Sequence, residues 1–327
     1  MIRSETRPRV ATLPSAAGVA VCRAKQAGSD RFRATIGRKP RTPLDRAVPN
    51  RSVPDAIRGG ELRLWYQPVV RVDDGSIAGV EALVRWAHPT MGLLTPDRFL
   101  PGAGRAGHMP ALDRWVFTQA CSDFAALHRE LGHQAPDRVA VNLAPATLAT
   151  DFDHLVETAL ADARLAPSRL VVEIPEDADL ELLARAAPRL DRLRQRGVWL
   201  VLDDMGAGNT TPRHLSALTL NGLKIDAAFI KGMLHDPGDR SIVKLLTDLG
   251  HRMKLAVTAE GIENADQLTA LAQLGIEYAQ GNHLGRPGPI ATITAPLRTR
   301  TTPGTSSGGN GHDIEAKSHA RPGARLS

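Results

Sequence analysis

The feature that most restricts what this chain can fold into is a rhythm of short apolar segments separated by amphipathic ones. The apolar segments are Arg138–Asn142, Leu170–Glu173, Val198–Asp203, Gly222–Ile225, Leu255–Ala259 and Ile276–Gln280. They are too uniformly apolar to leave one face in water, which is the signature of strands covered on both sides. The stretches Ala111–Leu131, His154–Ala163, Leu180–Arg196, Arg240–His251 and Ala265–Leu274 repeat apolar residues at three-to-four spacing, the helical period. Two more strand-like runs come first, Leu62–Val70 and Ile77–Trp86, around Asp73-Asp74-Gly75-Ser76. The Asp-Gly signal predicts a hairpin, so these two run antiparallel. Eight strands alternating with helices favour an α/β fold closed into a TIM-like (β/α)8 barrel with an antiparallel first strand. An open doubly wound sheet is the alternative. It lacks its phosphate-binding signatures, since no GxGxxG follows the first strand and no GxxxxGK[ST] occurs.

Charge separates the ends from this body. Residues 1–55 hold 12 Lys/Arg against 4 Asp/Glu and residues 291–327 hold 5 against 2, whereas residues 56–290 hold 24 against 29. A sequence pI near 9.7 therefore belongs to the ends, and an acidic body is not expected to read nucleic acid specifically. Residues 1–53 and 293–327 mix Arg, Pro, Thr, Ser and Gly without periodicity and are expected to be disordered tails, leaving 54–292 for the barrel. Two cysteines without CxxC spacing exclude a disulfide framework and make a cytoplasmic location the simplest expectation. No apolar run reaches the roughly 18 residues of a membrane span. Thr12, Pro14, Ser15 and Gly18 interrupt Val10–Val21 as an export signal.

Strands two to eight each carry a polar residue in or just beyond them. These are Glu81, Asn142, Glu173, Asp203 with Asp204, Lys224, Glu260 and Gln280. Any one alone is more often a solvated strand end, but in a barrel all these ends meet at one rim, where active sites are built. Five carboxylates in one cleft would raise one another's pKa values, and a divalent cation removes the conflict. Oxygen ligands with one amide and no thiolate or imidazole suit Mg²⁺ or Mn²⁺. Adjacent aspartates could bridge two ions, and paired ions clamp the attacking and leaving oxygens of a phosphoryl transfer. At this level a barrel enzyme acting on a sugar phosphate fits as well.

The motifs YQPVV (Tyr66–Val70), EALVRWAHP (Glu81–Pro89), VNL (Val141–Leu143), EIPE (Glu173–Glu176), DDMGAG (Asp203–Gly208), LKID (Leu223–Asp226), AEGIE (Ala259–Glu263) and AQG (Ala279–Gly281) follow one another in an order that resembles the EAL-domain phosphodiesterases specific for cyclic di-GMP. The resemblance runs from about Pro54 to Pro289. It implies a barrel with an antiparallel first strand and hydrolysis of cyclic di-GMP to linear pGpG with Mg²⁺ or Mn²⁺, two ions per site. Carried over by position, Glu81, Asn142, Glu173 and Asp203 would bind the first ion, and Asp203, Asp204 and Glu260 the second. Lys224 would orient the attacking water, with Gln280 and Glu263 supporting that network. Gln67 and Arg85 would contact substrate, and Glu176 would fix the loop after the paired aspartates. Cyclic di-GMP is the implied partner, and a homodimer is compatible with the family. Departures fall on supporting positions: Ala144 replaces a serine, Pro175 a threonine and Gly104 an acidic residue, and the Asp203–Thr211 loop is altered. A degenerate domain that binds cyclic di-GMP, or a partner protein, without turnover is therefore the alternative reading.

Overall fold

The turn sets the first two strands. β1 (Leu62–Arg71) and β2 (Ile77–His88) pair antiparallel, with Gln67 opposite Glu81. The reversal needs a left-handed residue, which Gly75 supplies at φ +68, and Asp74 Oδ1 accepts from Ser76 N at 2.8 Å. β2 runs two residues further than its apolar pattern indicates, and an unanticipated β3 (Gly92–Leu94) pairs with its end. The hairpin therefore rises past the rim as a three-stranded wall. This computed structural model describes residues 52–206 and 218–292. Apart from Ser52 and Val53, the expected tails lie outside the described residues, as do Val10–Val21 and the Ala207–Thr211 part of the loop. Ser52 caps α1 (Val53–Arg58) through a reciprocal capping box with Asp55.

The parallel strands follow in chain order: β4 (Arg138–Asn142), β5 (Leu170–Pro175), β6 (Trp199–Met205), β7 (Gly222–Ile225), β8 (Ala256–Ala259) and β9 (Tyr278–Gln280). Each pairs in parallel with the next, and β2 leads into β4. β1 closes the ring by pairing antiparallel with β9, Val69 opposite Gln280, as it does with β2. The closed eight-stranded barrel with an antiparallel first strand is thus present, with β3 as an appendage.

The helices are α2 (Pro96–Arg105), α3 (Met109–Leu131), α4 (Pro145–Leu148), α5 (Phe152–Ala163), α6 (Leu180–Gln195), α7 (Ala227–Gly232), α8 (Pro237–Arg252) and α9 (Ala265–Leu274). Five of them match the amphipathic stretches. α2 was not foreseen because Pro101, Gly102 and Gly104 lie inside it. α3 fully buries Phe117 and Phe124, each worth about 1.5–3 kcal/mol. Cys121 on the same stripe is free, and burial pushes its thiol up to about 12, which leaves it an inert core residue. No helix among the described residues is long and apolar enough to cross a membrane.

Inside the ring many of the side chains facing the axis are small. Ala140, Val171 and Val201 cluster with Trp199, and with Gly79, Gly222 and Ala256 they line a cavity of about 80 Å³. Glu173 and Lys224 form its upper wall, so the polar rim rests directly on a thin apolar floor.

Candidate active site

Strand period decides which residues reach the rim. In β5, Leu170, Val172 and Ile174 are wholly buried towards the helices, while Val171 and Glu173 line the axis. The same alternation turns Lys224 of β7 inward above Gly222. Alternation alone would send Asp203 and Asp204 to opposite faces. The β6–β7 register shifts between Leu202 and Met205, and Asp204 is left-handed at φ +56. This bulge, at a conformation that Asp tolerates better than most residues, brings both acids to one side. One oxygen each from Asp203, Asp204 and Glu260 lies within 4.8 Å of the others.

Lys224 organises the centre. Its Nζ is 2.7 Å from Glu260, 2.9 Å from Glu173, 3.1 Å from Asp203 and 3.5 Å from Glu81, so four strands or strand ends converge on one ammonium. Lys224 is 2% exposed, so its charge is held wholly inside the cluster. Asn142 Nδ2 donates to Glu81 Oε1 at 2.7 Å, and Gln280 Nε2 donates to Glu81 Oε2 at 2.6 Å. Gln280 also donates to Gln67 Oε1 at 3.1 Å, and Gln67 donates to the Gly285 carbonyl at 3.1 Å. The structure therefore gathers Gln67, Glu81, Asn142, Glu173, Asp203, Asp204, Lys224, Glu260 and Gln280. Glu263 stands aside: its carboxylate, 56% exposed, meets Lys231 at 3.9 Å. Arg85 is buried on the β2 wall, with its guanidinium 5.4 Å from the Trp65 ring.

Five carboxylates against one lysine leave the cluster strongly negative. Burial opposes the Lys224 charge, but Asp203, Glu173, Glu260 and Glu81 outweigh it and hold its pKa well above the usual value. Burial, with the Glu81 and Asp203 charges, pushes Glu173 well up despite Lys224. Burial and the neighbouring acids likewise push Glu260 up to about 8, and burial with Asp203 pushes Asp204 up to about 6. Glu81 escapes: against its burial, Lys224, Gln280 and Asn142 hold it below the ordinary range. Without cations, burial and mutual repulsion favour the protonated form of Glu173, Glu260 and Asp204. Glu173 Oε2 is buried with no hydrogen-bond partner, a lone pair without a donor. Hard divalent cations fit this donor set, which consists of carboxylates and one amide.

The supporting positions have physical explanations. Glu176 Oε2 accepts from Gly206 N at 2.7 Å, which ties down the start of the loop after the paired aspartates. Gly206 is at φ +98, and a Cβ there would stand 2.6 Å from the Phe229 ring. At Pro175 the ladder to β6 continues, because Glu176 N donates to Asp203 O. Alternate amides of a parallel strand face opposite neighbours, so the missing Pro175 N–H lies on the β4 side, where the ladder ends with Leu143 N donating to Glu173 O. Gln267 was overlooked although Asn264-x-x-Gln267 is a capping-box spacing. Its Oε1 accepts from Glu263 N at 2.8 Å and its Nε2 donates to Ile230 O at 3.1 Å, locking the turn beyond Glu260.

Comparison with known proteins gives the family. The sequence profile of the EAL domain matches residues 50–287. The chain is 38% identical over 247 residues to the cyclic di-GMP phosphodiesterase NbdA of Pseudomonas aeruginosa, covering 74% of this chain and 31% of the relative. It is 38% identical over 250 residues to the bifunctional diguanylate cyclase/cyclic di-GMP phosphodiesterase MucR of the same organism, covering 73% and 35%. The chain thus spans about a third of the length of the curated relatives it matches. Among solved structures, the PaMucR phosphodiesterase in complex with c-di-GMP superposes with a TM-score of 0.70 at 35% identity, covering 74% of this chain and 97% of that one. With the motifs in order, the barrel closed by an antiparallel strand and the acids gathered at its rim, the chain belongs to the EAL domain family.

Proposed function

We propose that this chain hydrolyses one phosphodiester bond of cyclic di-GMP, giving linear pGpG. The observation that carries the reading is the convergence of Glu81, Glu173, Asp203 and Glu260 on Lys224, with a bare Glu173 oxygen beside them. Glu81, Asn142, Glu173, Asp203, Asp204 and Glu260 would hold one or two Mg²⁺ or Mn²⁺ ions, which supply Lewis-acid activation of water and phosphoryl oxygen. Lys224 holds a positive charge where negative charge grows in the transition state, and its fixed position needs no reorganisation. Asn142 and Gln280 clamp the two Glu81 oxygens from opposite sides, so Glu81 presents a defined lone pair. Arg85 and Trp65, on the wall above, offer a cation and a flat ring to a phosphate and a base. The complex formed by the MucR structure supports cyclic di-GMP as the ligand class.

Purified protein with Mn²⁺ or Mg²⁺ is expected to convert cyclic di-GMP to pGpG, read by chromatography, and Glu81→Ala to abolish it. Unchanged turnover in Glu81→Ala removes the mechanism. Tight binding by calorimetry with no product under either metal replaces hydrolysis with a receptor role.

A further inference from the structure

Helix α3 buries a stripe of Leu112, Val116, Phe117, Ala120, Cys121 and Phe124, and a carboxylate sits inside it. Asp113 is 5% exposed, and no Lys, Arg or His among the described residues pairs with it. Burying such a group costs several kcal/mol unless hydrogen bonds compensate. Its Oδ2 accepts from Ala144 N at 2.9 Å, across 31 residues of sequence.

Ala144 lies two residues past Asn142, the last residue of β4. On one side of it, Leu143 N donates to Glu173 O at 2.9 Å, tying the strand end to β5. On the other, Pro145 opens α4, whose N-cap is Ala144 itself. Alanine has no side-chain oxygen, so this helix start has no side-chain cap of its own. The acceptor comes instead from α3. Asn142 therefore projects from a strand end pinned at two successive amides, one to the barrel and one to the outer helix. With Nδ2 committed to Glu81, its side-chain carbonyl is the end left for a cation.

We propose that Asp113 is a positioning residue of the metal site, fixing the Asn142–Ala144 strand end so that the Asn142 carbonyl stays aimed at the cation. The inference deepens the hydrolytic reading and rests on it for its activity readout, whereas its binding readout is independent. Asp113 touches neither substrate nor ion and acts through Asn142.

The test uses the full chain. Mn²⁺ affinity is measured by calorimetry, turnover of cyclic di-GMP by product formation and folding by circular dichroism, in wild type, Asp113→Asn, Asp113→Leu, Asn142→Ala and the Asp113→Leu/Asn142→Ala double variant. Asp113→Leu, which keeps the branched shape and removes the acceptor, is expected to weaken Mn²⁺ binding and lower kcat by about 10–100-fold, with KM little changed. Asp113→Asn, which keeps an acceptor for Ala144 N, is expected to stay within about three-fold of wild type, far less than the loss typical of a missing support. In the Asn142→Ala background the leucine substitution should cost nothing further in Mn²⁺ affinity, because the route runs through Asn142. A leucine variant that does not fold is replaced by Asp113→Ser, which removes charge and reach together. Wild-type Mn²⁺ affinity in a folded variant, or a loss that adds in full to that of Asn142→Ala, overturns the inference. If wild type binds Mn²⁺ but makes no product, the hydrolytic reading falls, and the affinity cycle still decides this one. If wild type binds no Mn²⁺, both fall.

Discussion

The two mouths of the barrel treat charge in opposite ways. At the amino-terminal mouth Asp137 pairs with Arg71 and, at 3.6 Å, with Arg169, while the Arg138 guanidinium lies 3.6 Å over the Trp199 ring. The acid there has partners, and the half-buried Arg138 is spread on an aromatic face. At the carboxyl-terminal mouth five carboxylates share a single lysine, and Glu173 keeps an unpartnered oxygen. At one end the acid is fully partnered by arginines, as a structural closure should be, and the other end is left short of positive charge. That shortage is what a divalent cation removes, so the contrast separates the end that supports the fold from the end proposed for chemistry.

The largest expected effect comes from removing the lysine at the centre of the acidic end. Lys224→Met is expected to lower turnover by about 10²–10³-fold and, without metal, to destabilise the fold by about 3–5 kcal/mol in urea unfolding, as breaking a buried ion pair does. Metal-free stability unchanged in this variant would mean that the acids do not depend on Lys224, and the contrast would collapse.

Acidity sharpens the comparison next. Unfolded carboxylates titrate near pH 4, whereas Glu260 is pushed up to about 8 and Asp204 to about 6 in the fold. Between those limits these two groups bind more protons in the metal-free fold than in the unfolded chain, so their contribution to stability is most favourable below about pH 4 and is lost as pH rises towards 8. The melting temperature of metal-free protein should therefore decline across this window, and Mn²⁺ should raise it more at pH 8 than at pH 6. A Mn²⁺ shift equal at both values would show that the acids are not held protonated.

A smaller effect is expected at the opposite mouth. Arg138→Ala loses the cation–π contact and the packing of its stem, about 1–2 kcal/mol of stability, with turnover close to that of wild type. Loss of turnover matching that of Lys224→Met would break the division between the ends. Pro175→Thr should matter least. The missing amide costs one bond where the β4–β5 ladder ends, and Leu143 N still donates to Glu173 O there, so melting temperature and turnover should both stay near wild type; a large gain in turnover would place the proline among the residues that limit catalysis.

The strand–helix rhythm, the Asp73–Ser76 hairpin and the polar residue at each strand end were all legible along the chain, because each is a pattern among near neighbours. The appended β3 was not, since three residues ending in Leu94 carry no period of their own and are held only by pairing with β2. α2 was hidden by Pro101 and two glycines. Asp113 left one local trace, a carboxylate inside an apolar stripe, but its partner is 31 residues away and no spacing rule links them.

Sequence alone settled the class of fold, the family resemblance and which side chains were candidates for the rim, since side-chain chemistry and periodicity are properties of short segments. Tertiary structure decided which of them meet. Gln280 reaches Glu81 across 199 residues only because β1 joins β9 to β2. The two aspartates turn the same way only because the β6–β7 register slips at a left-handed Asp204. Ring closure and register are set by the sum of contacts between distant segments, and no window of the sequence contains that sum.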